Sequence, residues 1–169
     1  MIKMKTIYHK TVLLHEAVEG LNINPKGIYV DVTFGGGGHS KEILSFLSAN
    51  GKLFAFDQDE EAFANQFDDP RFQLIKGNFS EVKRYLKFYG VTKIDGIIAD
   101  FGVSSHQLDS AKRGFSTRFD GPLDMRMGNS SQFDASKVVN EYSMEDLIDV
   151  LTQYGDCLLY TSDAADDRM

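Results

Sequence analysis

Four side chains that could bind a polar ligand recur along this sequence at nearly even intervals. They are Asp31, Asp57, Asn78 and Asp100, spaced by 26, 21 and 22 residues. Around the first lies the run Asp31-Val32-Thr33-Phe34-Gly35-Gly36-Gly37-Gly38-His39. Consecutive glycines accept positive φ and let backbone N–H groups approach a ligand with no side chain in the way. An acid about 20 residues beyond such a loop, here Asp57, is suited to accept hydrogen bonds from ribose hydroxyls. The chemistry on offer is recognition of a nucleoside-bearing ligand by a glycine floor and a carboxylate rim.

Positioning these residues requires a sheet whose strands all end on one side. Short apolar runs at Ile28-Tyr29-Val30, Leu53-Phe54-Ala55-Phe56, Phe72-Gln73-Leu74-Ile75 and Ile94 to Ala99 precede the four polar positions. They are β-branched or aromatic and bounded by Gly, Pro or Asp, as buried parallel strands are. Between them the pattern predicts helices. One starts at Ser40 as its cap, with Ile43, Leu44 and Leu47 inward and Asn50-Gly51 as its stop. A second covers Asp57 to Phe67. A third is capped by Ser80, buries Val82, Leu86 and Tyr85 or Phe88, and ends at Gly90. A further helix from about Thr11 to Gly20 turns Val12, Leu13, Ala17 and Val18 inward. Strand and helix in alternation predict a doubly wound α/β sheet, whose ligands bind beyond the carboxyl ends of the strands. After Phe101 the rhythm stops. Residues 102–132 read as one long loop, a length more often functional than accidental. Two helices then follow, Ala135 to Asn140 and Met144 to Tyr154, capped by Asp134 and Ser143.

The glycine loop admits two ligand readings and one without a ligand. A dinucleotide site wants G-x-G-x-x-G, but from Gly35 the third glycine position is Ser40. A methyl-donor loop of the form acidic-x-Gly-x-Gly-x-Gly fits Asp31-x-Thr33-x-Gly35-x-Gly37 with one substitution. A carboxylate at residue 31 would favour a sulfonium and repel a pyrophosphate. The remaining possibility is a tight turn that binds nothing.

Composition narrows the class without deciding it. The 169 residues are 42% hydrophobic and 25% charged, with a net charge of −7 and no Trp. No apolar run approaches the roughly 20 residues of a membrane helix, and nothing after Met1-Ile2-Lys3-Met4-Lys5 resembles a signal sequence; the expectation is a soluble, cytoplasmic protein. The acidity weighs against nucleic acid, whose binders usually carry a basic face. One cysteine, Cys157, allows no internal disulfide, and four dispersed histidines match no metal motif, so no metal is expected. Residues 157–169 break the apolar periodicity and resemble a translated sequencing adapter. The chain is therefore expected to be an amino-terminal piece, divided into a partial α/β domain (1–110), the start of a helical insertion (111–156) and a non-native tail.

The blocks His9, Val12-Leu13-Leu14-x-Glu16, Asp31 to Ser40, Asp57-x-Asp59, Asp95-Gly96-Ile97-x-x-Asp100-x-Gly102-Val103-Ser104-Ser105-x-Gln107-Leu108-Asp109, Arg113-Gly114-Phe115-Ser116 and Gly121-Pro122-Leu123-Asp124-Met125-Arg126-Met127 resemble the 16S ribosomal RNA cytosine-(N-4)-methyltransferase family, RsmH or MraW. The two long blocks after the fourth strand are the most specific. The resemblance implies a Rossmann-like methyltransferase fold, here a partial sheet, with a helical insertion. It also implies S-adenosyl-L-methionine as cofactor and the amino group of a decoding-region cytosine in 16S ribosomal RNA, in the small ribosomal subunit, as acceptor. By the family's pattern Gly37, Gly38 and His39 line the cofactor; Asp31 and Gly35 of the same loop are expected to join them on the charge and spacing described above. Asp57 holds the ribose, Phe79 flanks the adenine, and Asp100 and Gln107 close the site. The family usually has Pro where this chain has His106, which implies a local loop difference. Asp100 and Asp124 are the candidates to orient or accept from the cytosine amino group, Asp124 having the alternative of pairing with Arg126. Arg113, Arg118 and Arg126 are candidate phosphate contacts. A nicotinamide-dependent oxidoreductase and a non-catalytic RNA-binding module are the competing readings, and oligomeric state is not encoded legibly.

Overall fold

The computed structural model describes residues 11–128 and 132–155. Four parallel strands form its centre: β1 (Ile28–Asp31), β2 (Lys52–Asp57), β3 (Phe72–Lys76) and β4 (Gly96–Ile98), in the spatial order β3-β2-β1-β4. Val30 of β1 lies between Phe54 of β2 and Ile97 of β4, and Phe56 of β2 registers with Ile75 of β3. The chain runs outward from β1 through β2 to β3 and then returns to the other side of β1. That reversal makes a switch point, where the connections at the carboxyl ends diverge and leave a crevice.

Alternating side chains bury both faces of the sheet. Tyr29, Leu53, Ala55 and Leu74 face α1 (Leu14–Gly20) and α2 (Gly38–Phe46) and meet Val18, Ile43, Leu44 and Leu47. Val30, Phe54, Phe56 and Ile75 face α3 (Val82–Phe88) and meet Leu86, with Val82 and Tyr85 beside it. Burial on both sides explains why the strands read as continuous apolar runs. β4 is the exception. It is three residues long and lies at the sheet edge with Ile97 48% exposed, whereas the sequence predicted a longer buried strand over 94–99. Asp95 still extends the ladder, its amide bonding the Ile28 carbonyl (2.8 Å) and its carboxylate accepting the Ile28 amide (2.8 Å).

Several predicted boundaries differ, each for a local reason. α2 begins at Gly38 with Gly37 as its left-handed cap, so Ser40 is not a cap. Its hydroxyl instead points back to Asp31. The helix predicted over Asp57 to Phe67 is a 3-10 helix at Glu60–Asn65, because Asp59 stays extended and its side chain caps the Glu61 amide (3.1 Å). Asn78 rather than Ser80 caps the next turn, accepting from the Ser80 amide (2.9 Å). Phe88 is exposed and Tyr85 packs inward. In the first helix Val18 is buried, but Val12 and Leu13 precede the helical turns and face solvent. The predicted loop 102–132 contains α4 (Ser105–Asp109) and a 3-10 turn at Ala111–Arg113. α5 (Ala135–Glu141) and α6 (Met144–Tyr154) occur as expected with Asp134 and Ser143 as caps. The predicted tail 157–169 and the His9 block lie outside the described residues.

Candidate functional site

A cleft of about 410 Å³ opens at the carboxyl ends of the strands. It falls within the range of small-molecule sites. Its floor is the β1–α2 turn. Gly35 (φ +49°) and Gly37 (φ +75°) occupy the left-handed region that glycine tolerates. At Gly37 a Cβ would also lie 2.7 Å from Phe67 Cζ and 2.9 Å from Phe34 Cε2, so the aromatic core beneath the loop requires glycine there.

Three hydrogen bonds hold this floor. The Gly35 amide donates to Asp57 Oδ2 (2.7 Å), Asn65 Nδ2 donates to the Gly35 carbonyl (3.1 Å), and Thr33 Oγ1 accepts the Asp100 amide (2.7 Å). The last bond ties the β1 loop to the β4 loop and so fixes where Asp100 begins. The amides of Gly38 and His39 open α2 ahead of the helix's Lys41-to-Gly37 bond (2.9 Å). First-turn amides of this kind have no partner within the helix.

Of the predicted ligand-contacting residues, Gly35, Gly38, His39, Asp57, Phe79, Asp100 and Gln107 all line the cleft. His39 is 6% exposed, and its Nε2 has no hydrogen-bond partner among the described residues. Asp57 Oδ1 accepts the Asp59 amide (2.9 Å); a carboxylate offers about four lone-pair sites, so capacity remains for a hydroxyl donor. Burial raises the Asp57 carboxyl above the usual carboxylate range, against the bonds from Asp59 and Gly35 that lower it. Phe79 and Phe101 pack ring to ring at 5.1 Å, Phe101 being 67% exposed. Asp100 lies exposed beside them, with no partner for its carboxylate among the described residues.

Three predicted roles are corrected. Asp31 is 1% exposed and lies behind the loop rather than in the cleft. Its Oδ2 accepts the Ser40 hydroxyl (2.7 Å) and its Oδ1 the Thr33 amide (3.0 Å), so both its oxygens brace the turn from behind the cleft lining. Burial raises its carboxyl, which Ser40 and Thr33 oppose. Gly37 is buried beneath the floor as the cap of α2 and is not on the cleft surface. Asp124 is outside the cleft, in a two-pronged pair with Arg126 (2.6 and 2.9 Å) that holds its carboxyl down at about 2. The three candidate phosphate arginines are engaged as well: Arg113 with Asp59 and Glu61, Arg118 with Asp109, and Arg126 with Asp124.

The cleft also contains residues that sequence reasoning passed over. Asp59 and Met127 form part of its wall. Gln107 is placed by a capping box with Ser104: the Ser104 amide donates to Gln107 Oε1 (3.0 Å) and the Gln107 amide to Ser104 Oγ (3.2 Å). The Ser-x-x-Gln spacing that signals such a box was present in the sequence. Met127 carried no local pattern of that kind, only its place at the end of the Gly121-to-Met127 block. Among the described residues no group of His, Cys, Asp and Glu is arranged to hold a metal ion, and no helix is long and apolar enough to cross a membrane.

A parallel sheet with a glycine-floored cleft at its switch point is the frame of nucleotide-binding α/β proteins. The chain belongs to the MraW methylase family, whose model matches residues 6–165. Among curated proteins it is similar to the Ribosomal RNA small subunit methyltransferase H of Flavobacterium johnsoniae, at 62% identity over 149 residues, covering 88% of this chain and 49% of that one. The proteins of the same name from Christiangramia forsetii and Cytophaga hutchinsonii are 58% identical over 149 residues and 55% over 152. They cover 88% and 89% of this chain and 49% and 51% of their own. The chain thus spans about half the length of the curated relatives it matches.

Proposed function

We propose that the cleft binds S-adenosyl-L-methionine and that the full-length protein transfers its methyl group to the exocyclic amino group of a cytosine in 16S ribosomal RNA. The acceptor lies in the decoding region of the small ribosomal subunit, and the work is cytoplasmic. The observation that carries this reading is the convergence of Gly35, Gly38, His39, Asp57, Phe79 and Asp100 on one cleft in a chain of the MraW methylase family.

The residues suit such a donor. Asp57 would accept the ribose hydroxyls, and Phe79 offers an aromatic face to the adenine. The unpaired His39 Nε2 and the opening amides of α2 offer hydrogen bonds to the amino-acid end. Bound there, the donor supplies an electrophilic methyl group on a sulfonium. The chain's own task is then positioning, worth roughly 7–11 kcal/mol when the reacting atoms are held in line. Cytosine's amino lone pair is delocalised into the ring, so the amino group needs an acceptor for its protons as the new bond forms. Asp100 is the residue we assign to it, because its carboxylate is free at the rim and its backbone is fixed by Thr33. The base must leave its stack to reach this depth. Residues 111–156 are taken as the start of the helical insertion that would present the RNA.

The nicotinamide reading is disfavoured because the dinucleotide glycine pattern fails at Ser40, whose side chain fills the loop's underside. The pure RNA-binding reading leaves the cleft unexplained. The test is transfer of a labelled methyl group from S-adenosylmethionine to unmodified small subunits by the full-length gene product. Label is expected on a cytosine amino nitrogen, and Asp100→Ala is expected to lose roughly 100-fold or more in rate, the low end for removing a general base. Full turnover by Asp100→Ala would remove its role; label elsewhere, or none, would remove the substrate assignment.

A further inference from the structure

Arg113 ties together two separate segments beside the cleft, residues 59–61 and 126–127. Its Nη1 donates to Asp59 Oδ2 (2.7 Å) and Glu61 Oε2 (2.9 Å), and its Nη2 to the carbonyls of Arg126 (3.0 Å) and Met127 (3.2 Å). The side chain is mostly buried, as is that of Asp59. Asp59 Oδ2 also accepts Gln107 Nε2 (2.8 Å), and that amide nitrogen lies 3.7 Å from Met127 Sδ. Asp59, Gln107 and Met127 all line the cleft. They come from the turn after β2, from α4 and from a stretch with no regular structure. No sheet ladder joins these pieces. The guanidinium joins the first to the last, and Asp59 carries the link on to Gln107 of α4.

We infer that Arg113 is a positioning residue for donor binding: its hub with Asp59 and the 126–127 carbonyls sets Gln107 and Met127 in the cleft wall. The inference rests on the donor-binding reading above. The two Gln107 amide groups are committed, one to the α4 cap and one to Asp59, so the side chain is a strut whose orientation follows Asp59. Asp59 and Glu61 both lie within 2.9 Å of one Arg113 nitrogen; removing that cation leaves two carboxylates crowded together and the Met127 backbone untied. A lysine cannot replace it, since an ammonium lacks the planar fork that serves carboxylates and carbonyls at once.

The test is calorimetric titration of the full-length gene product with S-adenosylhomocysteine, comparing wild type, Arg113→Met, Arg113→Lys, Gln107→Ala and the Arg113→Met/Gln107→Ala double variant. Arg113→Met is expected to weaken binding at least about tenfold and Arg113→Lys about threefold or more, in the range of coupled polar networks. Gln107→Ala is expected to cost much less in the Arg113→Met background than in wild type. A purely structural role would not produce that non-additivity, because independent losses multiply. Arg113→Met binding within twofold of wild type, or effects that multiply, would overturn the proposal. Should Arg113→Met not fold, Arg113→Lys decides: unchanged affinity overturns it and a threefold loss supports it. A wild-type protein that gives no heat overturns the donor reading itself, and this proposal with it.

Discussion

Ser40→Ala examines how the glycine loop is held. Ser40 Oγ donates at 2.7 Å to Asp31 Oδ2, and among the described residues the one other bond to this carboxylate is the Thr33 amide on the opposite oxygen. Asp31 is 1% exposed, so water cannot replace the hydroxyl. Removing the donor leaves a buried acceptor unsatisfied, which costs about 1–3 kcal/mol. With roughly 2–4 °C per kcal/mol for a chain of this size, the melting temperature should fall by about 2–12 °C at neutral pH. The loss should also depend on pH with a definite sign. Burial raises the folded-state carboxyl of Asp31 above 3.8, while Ser40 lowers it, so the variant's carboxyl is raised further. A raised carboxyl is neutral in acid and weakens the fold as it ionises. The gap between variant and wild type should therefore be small in acid and widen as pH rises through the folded-state titration of Asp31. Circular-dichroism melts over a series from acid to alkaline pH read both effects. A shift under about 1 °C at neutral pH, or a gap constant across that range, would refute the buried brace.

Gly37→Ala places a Cβ 2.7 Å from Phe67 at φ +75°; it should destabilise by about 1–3 kcal/mol, and a denaturant midpoint unchanged from wild type would contradict the packing beneath the loop. Asp69 and Asp124 are held down to about 2 by Arg71 and Arg126. Carboxyls depressed on folding stabilise the protein above the unfolded value of 3.8, a contribution lost as pH falls through about 2. The Asp69→Asn/Asp124→Asn variant should accordingly be less stable than wild type at pH about 7 and lose less stability in acid; parallel acid-unfolding curves would contradict this.

The sheet was legible because β1, β2 and β3 are buried on two faces, so Tyr29-Val30 and Leu53 to Phe56 appear as unbroken apolar runs ahead of a polar residue. The same spacing put Asp57, Asn78 and Asp100 on one rim. Edge exposure at β4 was not legible, since an apolar run looks alike at an edge and in the interior. Helix starts were misplaced where a side chain had two possible partners. Ser40 looked like a cap but bonds Asp31 across the loop, and Asn78, two residues earlier, took the role given to Ser80. Asp31 was assigned to the ligand because a loop carboxylate and a ligand carboxylate have the same sequence signature; only burial separates them. The Arg113 hub joins residues 48 to 54 positions apart, beyond the reach of any local pattern.

The most direct measurement is saturation binding of S-adenosylhomocysteine to the full-length gene product, with NADH as the rival ligand. One saturable site for the former, weakened when Asp57 is replaced by Ala, and none for the latter is the predicted result. Binding of NADH alone, or of neither, would contradict the assignment of this cleft to a methyl donor.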